Sequence, residues 1–148
     1  MASEQTAAAL AGKWTYHSFL NEPALIGDDP VIAAKKLYAM LFAEAVFTFE
    51  IPDSTTLKGA IDWTGGGLDL KGTIRDGDGG PIVEIIGTGR PYTGTAGWEY
   101  DYHGQLAYTW PNGVDQVPAI VGNVIRAKPH GEGNPAGVVA SFIAVRQP

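Results

Sequence analysis

The sequence predicts an all-β protein, a closed up-and-down antiparallel β-barrel of about eight strands with a short helix in its first connection. Strand-like runs recur at short intervals between turn residues, which is typical of sandwiches and barrels. Gly12-Lys13-Trp14 enters the first run, and Arg146 ends the last one. In a closed barrel this tryptophan plugs one end and the arginine lies across the indole face, a contact that contributes about 0.5–2 kcal/mol. Gly12, Trp14 and Arg146 are therefore the predicted structural residues.

The composition fits a single globular domain over residues 1–148. The chain is 45% hydrophobic and 18% charged, and its net charge is -6. The lysines and arginines are few and scattered, which argues against nucleic acid and an anionic membrane as partners. The absence of cysteine excludes disulfides and thiolate chemistry. With neither a secretory signal at the start nor an apolar run long enough to span a membrane, the expected location is cytoplasmic.

Eight runs are predicted to be strands, and their connections support the assignment. Glycine and aspartate in the turns at 52–54, 64–67 and 77–80 accept the positive φ of tight hairpins. Asn112-Gly113 is a further turn signal. Short hairpins imply that each strand pairs with the next, and about eight strands can close around side chains or one small ligand. The predicted strands are 12–20, 43–51, 55–63, 68–75, 82–88, 97–107, 117–127 and 137–146.

Two segments lie outside this regular pattern. Residues 1–11 are expected to form a flexible N-terminal segment. In the long connection 21–42, Asp28-Asp29-Pro30 predicts a helix cap followed by proline in the first turn. This helix is either a lid over the barrel mouth or a plug at the end of the core, and the sequence favours neither. Its predicted apolar stripe is Ile32, Ala33, Leu37, Met40 and Leu41.

Alternation of apolar and polar residues assigns the faces of the strands. In the run 43–51, Phe47 and Phe49 share one face and charged or polar residues take the other, as expected for a sheet with one wet side. The runs 82–88, 117–127 and 137–146 are apolar on both faces. Such strands need cover on both sides, so we expect a homo-oligomer in which a second subunit covers this wall.

One charged residue stands out within these apolar runs. Glu84 lies among isoleucines, where an inward carboxylate would be costly unless it were paired. It either faces water or pairs with Arg126, which lies two strands further along the chain.

These features resemble the calycin superfamily, which includes lipocalins, fatty-acid-binding proteins and avidins. Gly12-Lys13-Trp14 is similar to the first-strand motif of that superfamily, and Arg146 is similar to its basic residue on the last strand. The connection 21–42 resembles the large first loop of lipocalins and the helical cap of the fatty-acid binders. The resemblance implies a cup that encloses a small molecule. Allene oxide cyclases and dirigent proteins have a similar barrel with catalytic or reaction-guiding roles. An enzymatic function therefore stays open as a hypothesis, by analogy of fold alone.

The sixth strand carries the most functional groups, and alternation divides them between two faces. If Tyr100 and Tyr102 face inward, the lumen is aromatic and the phenol hydroxyls orient a ligand. If Asp101 and His103 face inward, burial raises the pKa of the carboxyl and prepares it for acid–base catalysis. A third interpretation leaves the charges in water and the aromatic rings in the core or an interface.

The predicted function is the binding of a small, largely apolar or aromatic organic molecule in the barrel lumen. The first alternative is a cofactor-independent isomerase, cyclase or lyase in which Tyr100, Asp101, Tyr102 and His103 move protons. The second is an oligomeric structural barrel without a ligand. Neither a metal nor a cofactor is expected, because the three histidines share no ligand spacing. The predicted ligand-binding residues are Trp14, Tyr16, Phe47, Phe49, Trp63, Trp98, Tyr100 and Tyr102.

Overall fold

The computed structural model confirms a closed antiparallel β-barrel of eight strands. It describes residues 7–21, 29–32, 40–107 and 110–148. Each of the eight predicted runs overlaps one observed strand, and the ends differ by at most two residues. The strands are β1 (Gly12–Phe19), β2 (Leu41–Asp53), β3 (Thr56–Trp63), β4 (Gly66–Gly77), β5 (Gly80–Gly89), β6 (Glu99–Leu106), β7 (Ala119–Arg126) and β8 (Val139–Arg146).

The strands follow an up-and-down order, in which each strand pairs with the next and β8 pairs with β1. The three predicted tight hairpins are confirmed, since only residues 54–55, 64–65 and 78–79 separate the strands that they join. The longer connections 90–98 and 127–138 lie at the same end of the barrel as the connection from β1 to β2. We call this end the mouth and the opposite end the closed end.

The closed end is built around the predicted pair of Trp14 and Arg146. The two residues are partners in the β1–β8 register, and the Arg146 guanidinium carbon lies 5.5 Å from the centre of the Trp14 ring. Trp14 is fully buried, and its Nε1 donates a hydrogen bond of 2.9 Å to the carbonyl of Leu10. Arg146 also donates from Nη1 to the carbonyl of Ala9. The predicted contact between the guanidinium and the indole ring is therefore present, and the structural roles of the pair stay a prediction.

The segment before β1 packs beneath this pair. Ala7 and Leu10 have no exposed surface, and the chain turns into β1 through Gly12, whose φ of 115° lies in the region that favours glycine. The expectation of a flexible segment over residues 1–11 therefore does not hold for residues 7–11, because their apolar side chains close the barrel end. Residues 1–6 lie outside the described residues.

The barrel core follows the predicted alternation. Inward residues of the one-sided strands are buried, while their sequence neighbours are exposed to water. Gly59, which alternation places inward, allows a close approach of β3 to β2, since a Cβ at this position would lie 1.9 Å from the carbonyl oxygen of Thr48. Large side chains in this core include Tyr16, Phe47, Phe49, Leu57, Ile61, Leu68, Leu70, Ile74, Val83, Ile85, Tyr102 and Phe142.

The outer wall of β5, β7 and β8 carries exposed apolar side chains, as the two-sided pattern predicts. Ile86 is 51% exposed and Val139 is 49% exposed. The apolar residues exposed on this wall also include Val121, Ile125 and Ile143. The homo-oligomer inferred from this pattern stays a prediction.

Glu84 faces water on the same outer wall, which is the first of the two alternatives given above, and it does not pair with Arg126. Its carboxylate lies 2.7 Å from Arg75 and 3.8 Å from His103. Arg126 cannot reach it because alternation along β7 turns that arginine towards the barrel interior.

The first connection contains a short helical turn that loosely matches the predicted helix. The carboxylate of Asp29 accepts hydrogen bonds from the amides of Val31 and Ile32, at 2.9 and 3.2 Å, and Pro30 is the first helical residue. Of the predicted stripe, Ala33 and Leu37 lie outside the described residues, as does the choice between lid and plug. Ile32 is exposed and Leu41 begins β2, so these two residues do not form part of a buried helical stripe. Within the ranges that the structure covers, no helix has the length and apolar character needed to cross a membrane.

We predict that Arg146→Met destabilises the barrel, because it removes both the contact with Trp14 and the hydrogen bond to Ala9. The free energy of unfolding, measured by urea denaturation, is expected to fall by about 1–3 kcal/mol. Arg75→Met is the matched control, since it removes an arginine whose ion pair with Glu84 is exposed, and its loss should stay below about 1 kcal/mol. Equal losses in the two variants would show that Arg146 does not close the barrel end.

Candidate functional site

A cavity of about 310 Å³ lies at the mouth of the barrel, inside the ring of strand ends. Aromatic and aliphatic side chains from both sides of the barrel form most of its surface. The residues around it are Tyr16, Phe42, Ala43, Ile61, Trp63, Leu68, Trp98, Tyr100, Tyr102, Val124, Arg126 and His130. Below this level the lumen is filled by core side chains, so the cavity is confined to the mouth.

Flat rings form one wall of the cavity. Trp63 and Trp98 are stacked, with ring centres 6.1 Å apart and an angle of 18° between their planes. His130, from the connection between β7 and β8, stacks on Trp98 at 3.7 Å and 13°. Trp63 is the last residue of β3 and Trp98 directly precedes β6, so this wall is formed by residues at the ends of strands. Aromatic side chains have large apolar surfaces, so an apolar ligand that packs against this wall can bury a large contact area.

Three polar side chains meet beside these rings. The Nε of Arg126 donates a hydrogen bond of 2.8 Å to the hydroxyl of Tyr100, and this hydroxyl lies 2.7 Å from Nε2 of His130. Arg126 is only 7% exposed although it ends a strand. Its Nη1 donates to the carbonyl of Pro135 at 3.2 Å, and its guanidinium lies 5.4 Å from the ring centre of Phe42.

The electrostatics of this group follow from burial and from the charge of Arg126. Both effects lower the pKa of His130, burial being the larger, so the imidazole is neutral at pH 7. Because the Tyr100 oxygen accepts from Arg126, its own proton is available for the neutral Nε2 of His130. Burial raises the pKa values of Tyr16 and Tyr102, so both phenols stay protonated.

A second arginine holds the rim of the mouth in place. Arg90 donates to Asp62 at 2.8 Å and to Asp69 at 3.0 Å, which ties the connection 90–98 to β3 and β4. Thr95 adds a hydrogen bond of 2.8 Å to the carbonyl of Gly67. These bonds fix the loop that delivers Trp98 to the aromatic wall. The hydrogen bonds that Arg90 donates to these two carboxylates raise the pKa of its guanidinium and keep it charged.

The structure places the predicted ligand-binding residues at two depths. Five of them line the mouth cavity, namely Tyr16, Trp63, Trp98, Tyr100 and Tyr102. Phe47 and Phe49 are packed in the core, and Trp14 lies at the closed end. These last three are not among the residues around the cavity. Alternation predicts which side chains face inward, but it does not predict where along the axis the lumen is filled.

The four predicted catalytic residues do not share one cavity. Tyr100 and Tyr102 face inward, whereas Asp101 and His103 lie on the outer wall. Asp101 sits between Ile86 and Ile125 in the strand register, and its Oδ1 has no hydrogen-bond partner among the described residues. Burial, with a smaller effect of Glu99, raises the pKa of Asp101. The aromatic face of β6 is therefore the one that faces the lumen.

Sequence reasoning missed the two residues that complete the polar group, Arg126 and His130. A signal for Arg126 was present, since alternation from Ile120 and Val124 places it on the inward face of β7. His130 lies in a connection, where periodicity gives no direction. In the same described part of the chain, no three histidine or acidic side chains lie close enough to hold a metal ion.

Comparison with known proteins adds no family to this description. No family model matches the chain, and neither the curated proteins nor the solved structures include a significant match. The observed closed barrel agrees with the architecture of calycin-like proteins in general. Membership of that superfamily stays a prediction.

We predict that His130 makes the barrel less stable as the pH falls. Its pKa is lower in the folded protein than in the unfolded chain, so the unfolded chain binds protons first and stability is lost as the pH falls below about 6.5. His130→Asn should flatten this dependence between about pH 7 and pH 5. The midpoint of urea unfolding, measured at several pH values, gives this pH dependence of stability. The matched control is His103→Asn, which changes a histidine on the outer wall. An unchanged slope in His130→Asn would contradict the prediction.

Proposed function

We propose that this barrel binds a small, largely apolar or aromatic organic molecule in its mouth cavity. The observation that supports this proposal is a cavity of about 310 Å³ with flat aromatic rings on one wall and a small polar group beside them. Binding sites for small molecules are typically mostly apolar clefts of about 300–1,000 Å³ with few oriented polar groups. The cavity is therefore large enough for a molecule of two or three fused or linked rings.

The packing below the cavity supports the same proposal. Tyr16 contacts Phe47 at 4.8 Å between ring centres, and Phe142 lies 5.4 Å from Tyr16. These rings fill the barrel towards the closed end and give the cavity a firm floor. Among the described residues, space remains at the mouth above this packed core. This space supports the proposal that a ligand binds there.

We predict that the neutral dye N-phenyl-1-naphthylamine binds in the mouth and that its fluorescence rises on binding. Val124→Phe should weaken its affinity about tenfold or more, because the larger ring occupies part of the cavity. Val121→Phe is the matched control, since the same change is made on the same strand but on the outer wall, and its affinity should equal that of the wild type.

Circular dichroism would first show that both variants fold. Absence of dye binding to the wild-type protein, or equal weakening by the two substitutions, would refute binding in the mouth.

A second candidate function is a cofactor-independent isomerase, cyclase or lyase. It is favoured by the position of the Tyr100 hydroxyl between Arg126 and His130. The phenol proton can pass to Nε2 of His130 while the guanidinium stabilises the phenolate, which gives a base inside an apolar cavity. Of the four residues first considered, only Tyr100 has this arrangement.

For this candidate we predict that Tyr100→Phe lowers turnover about 100-fold or more, because it removes the group that transfers the proton. Asp101→Asn should leave turnover unchanged, since Asp101 lies on the outer wall. Product formation from a panel of unsaturated aromatic compounds, followed by mass spectrometry, measures this. Turnover that survives Tyr100→Phe, or no turnover of any compound by the wild type, would count against an enzyme.

A further inference from the structure

Arg126 is a buried cation whose charge is not matched by an acid in the described part of the chain. Over residues 7–21, 29–32, 40–107 and 110–148, no carboxylate lies within ion-pair distance of its guanidinium. Arg126 is nevertheless buried, with only 7% of its surface exposed, and it lines a largely apolar cavity. Removing a charge from water without a counter-charge costs free energy, so such residues are normally paired.

Arg90 provides a comparison within the same protein. It also lies at the mouth, yet it is more exposed and is held by the carboxylates of Asp62 and Asp69. The more exposed arginine thus has two acidic partners, and the more buried one has only neutral contacts. Those contacts are the Tyr100 hydroxyl, the carbonyl of Pro135 and the faces of two aromatic rings. This difference in acidic partners indicates that the guanidinium of Arg126 can bind an anion from outside the barrel.

The hydrogen bonds of Arg126 leave donors for such an anion. An arginine has five N–H groups, and acceptors among the described residues occupy Nε and Nη1 only. One N–H of Nη1 and both N–H groups of Nη2 have no acceptor among the described residues, and Arg126 is one of the residues that line the cavity. Hydrogen bonds from a guanidinium to an oxyanion are charge-assisted and roughly twice as strong as neutral ones.

We propose that the ligand is an organic acid whose apolar body packs against the aromatic side chains of the mouth cavity and whose carboxylate binds Arg126. This inference rests on the proposed function, since it names the chemical class of the molecule in the same cavity. The two side chains that share hydrogen bonds in this group, those of His130 and Tyr100, have no carboxylate that would repel the anion. The net charge of -6 gives the protein no general attraction for anions, so recognition depends on this one guanidinium.

The test compares naphthalene-2-carboxylate with its methyl ester, which has the same rings and no charge. Isothermal titration at pH 7.5 should show that the wild-type protein binds the acid about tenfold or more tightly than the ester. Arg126→Gln should remove this preference and leave the ester affinity within about twofold. Arg126→Lys, which keeps a positive charge, should retain part of the preference and covers the case in which the glutamine variant does not fold.

Arg75→Gln is the matched control, because it removes an arginine that lies on the outer wall and is paired there with Glu84. Its preference for the acid should equal that of the wild type. Equal affinities of the acid and the ester for the wild-type protein would overturn the inference, as would a preference that survives in Arg126→Gln. If N-phenyl-1-naphthylamine binds and naphthalene-2-carboxylate does not, this inference alone is overturned. If neither the dye, the acid nor the ester binds, the proposed function is overturned as well.

Discussion

The width of an eight-stranded barrel is the constraint on which the rest of this structure depends. Such a barrel has an interior just wide enough for side chains from opposite walls to meet, so every level must be filled by side chains or by a ligand. At the closed end Trp14 and Leu10 fill it, and in the middle the rings of Tyr16, Phe47 and Phe142 do so. At the mouth, the side chains of the described residues leave a cavity between them.

The two ends of the barrel use arginine in different ways. Arg146 lies over an indole ring and bonds to a backbone carbonyl, and it strengthens a packed end. Arg126 also has aromatic rings and a carbonyl nearby, but it borders open space. Similar local contacts therefore serve a filled end and an unfilled one. What distinguishes them is the cavity beside the guanidinium of Arg126, which supports the proposal that this arginine binds a ligand, whereas Arg146 packs against Trp14.

The fold could be predicted from the sequence because its signals are local. Alternation and turn residues depend on neighbours in the chain, and they gave all eight strands and the face of residues such as Phe47. The site could be predicted only in part, because it joins residues from distant positions. Tyr100 and His130 are brought together by a connection that has no periodicity. The inward face of β6 was also undecided, since both of its faces carry side chains that suit a lumen.

The pairing of β1 with β8 also removes the edge strands of the sheet. A closed barrel has no edge strand, whereas an open sheet presents unpaired amides and carbonyls that other chains can join. Here the two strands that would become edges come from the opposite ends of the sequence. β8 also carries exposed Val139 and Ile143 on its outer face. Opening the seam would therefore place free backbone groups beside an apolar surface, and the same ladder that shapes the cavity protects the chain from aggregation.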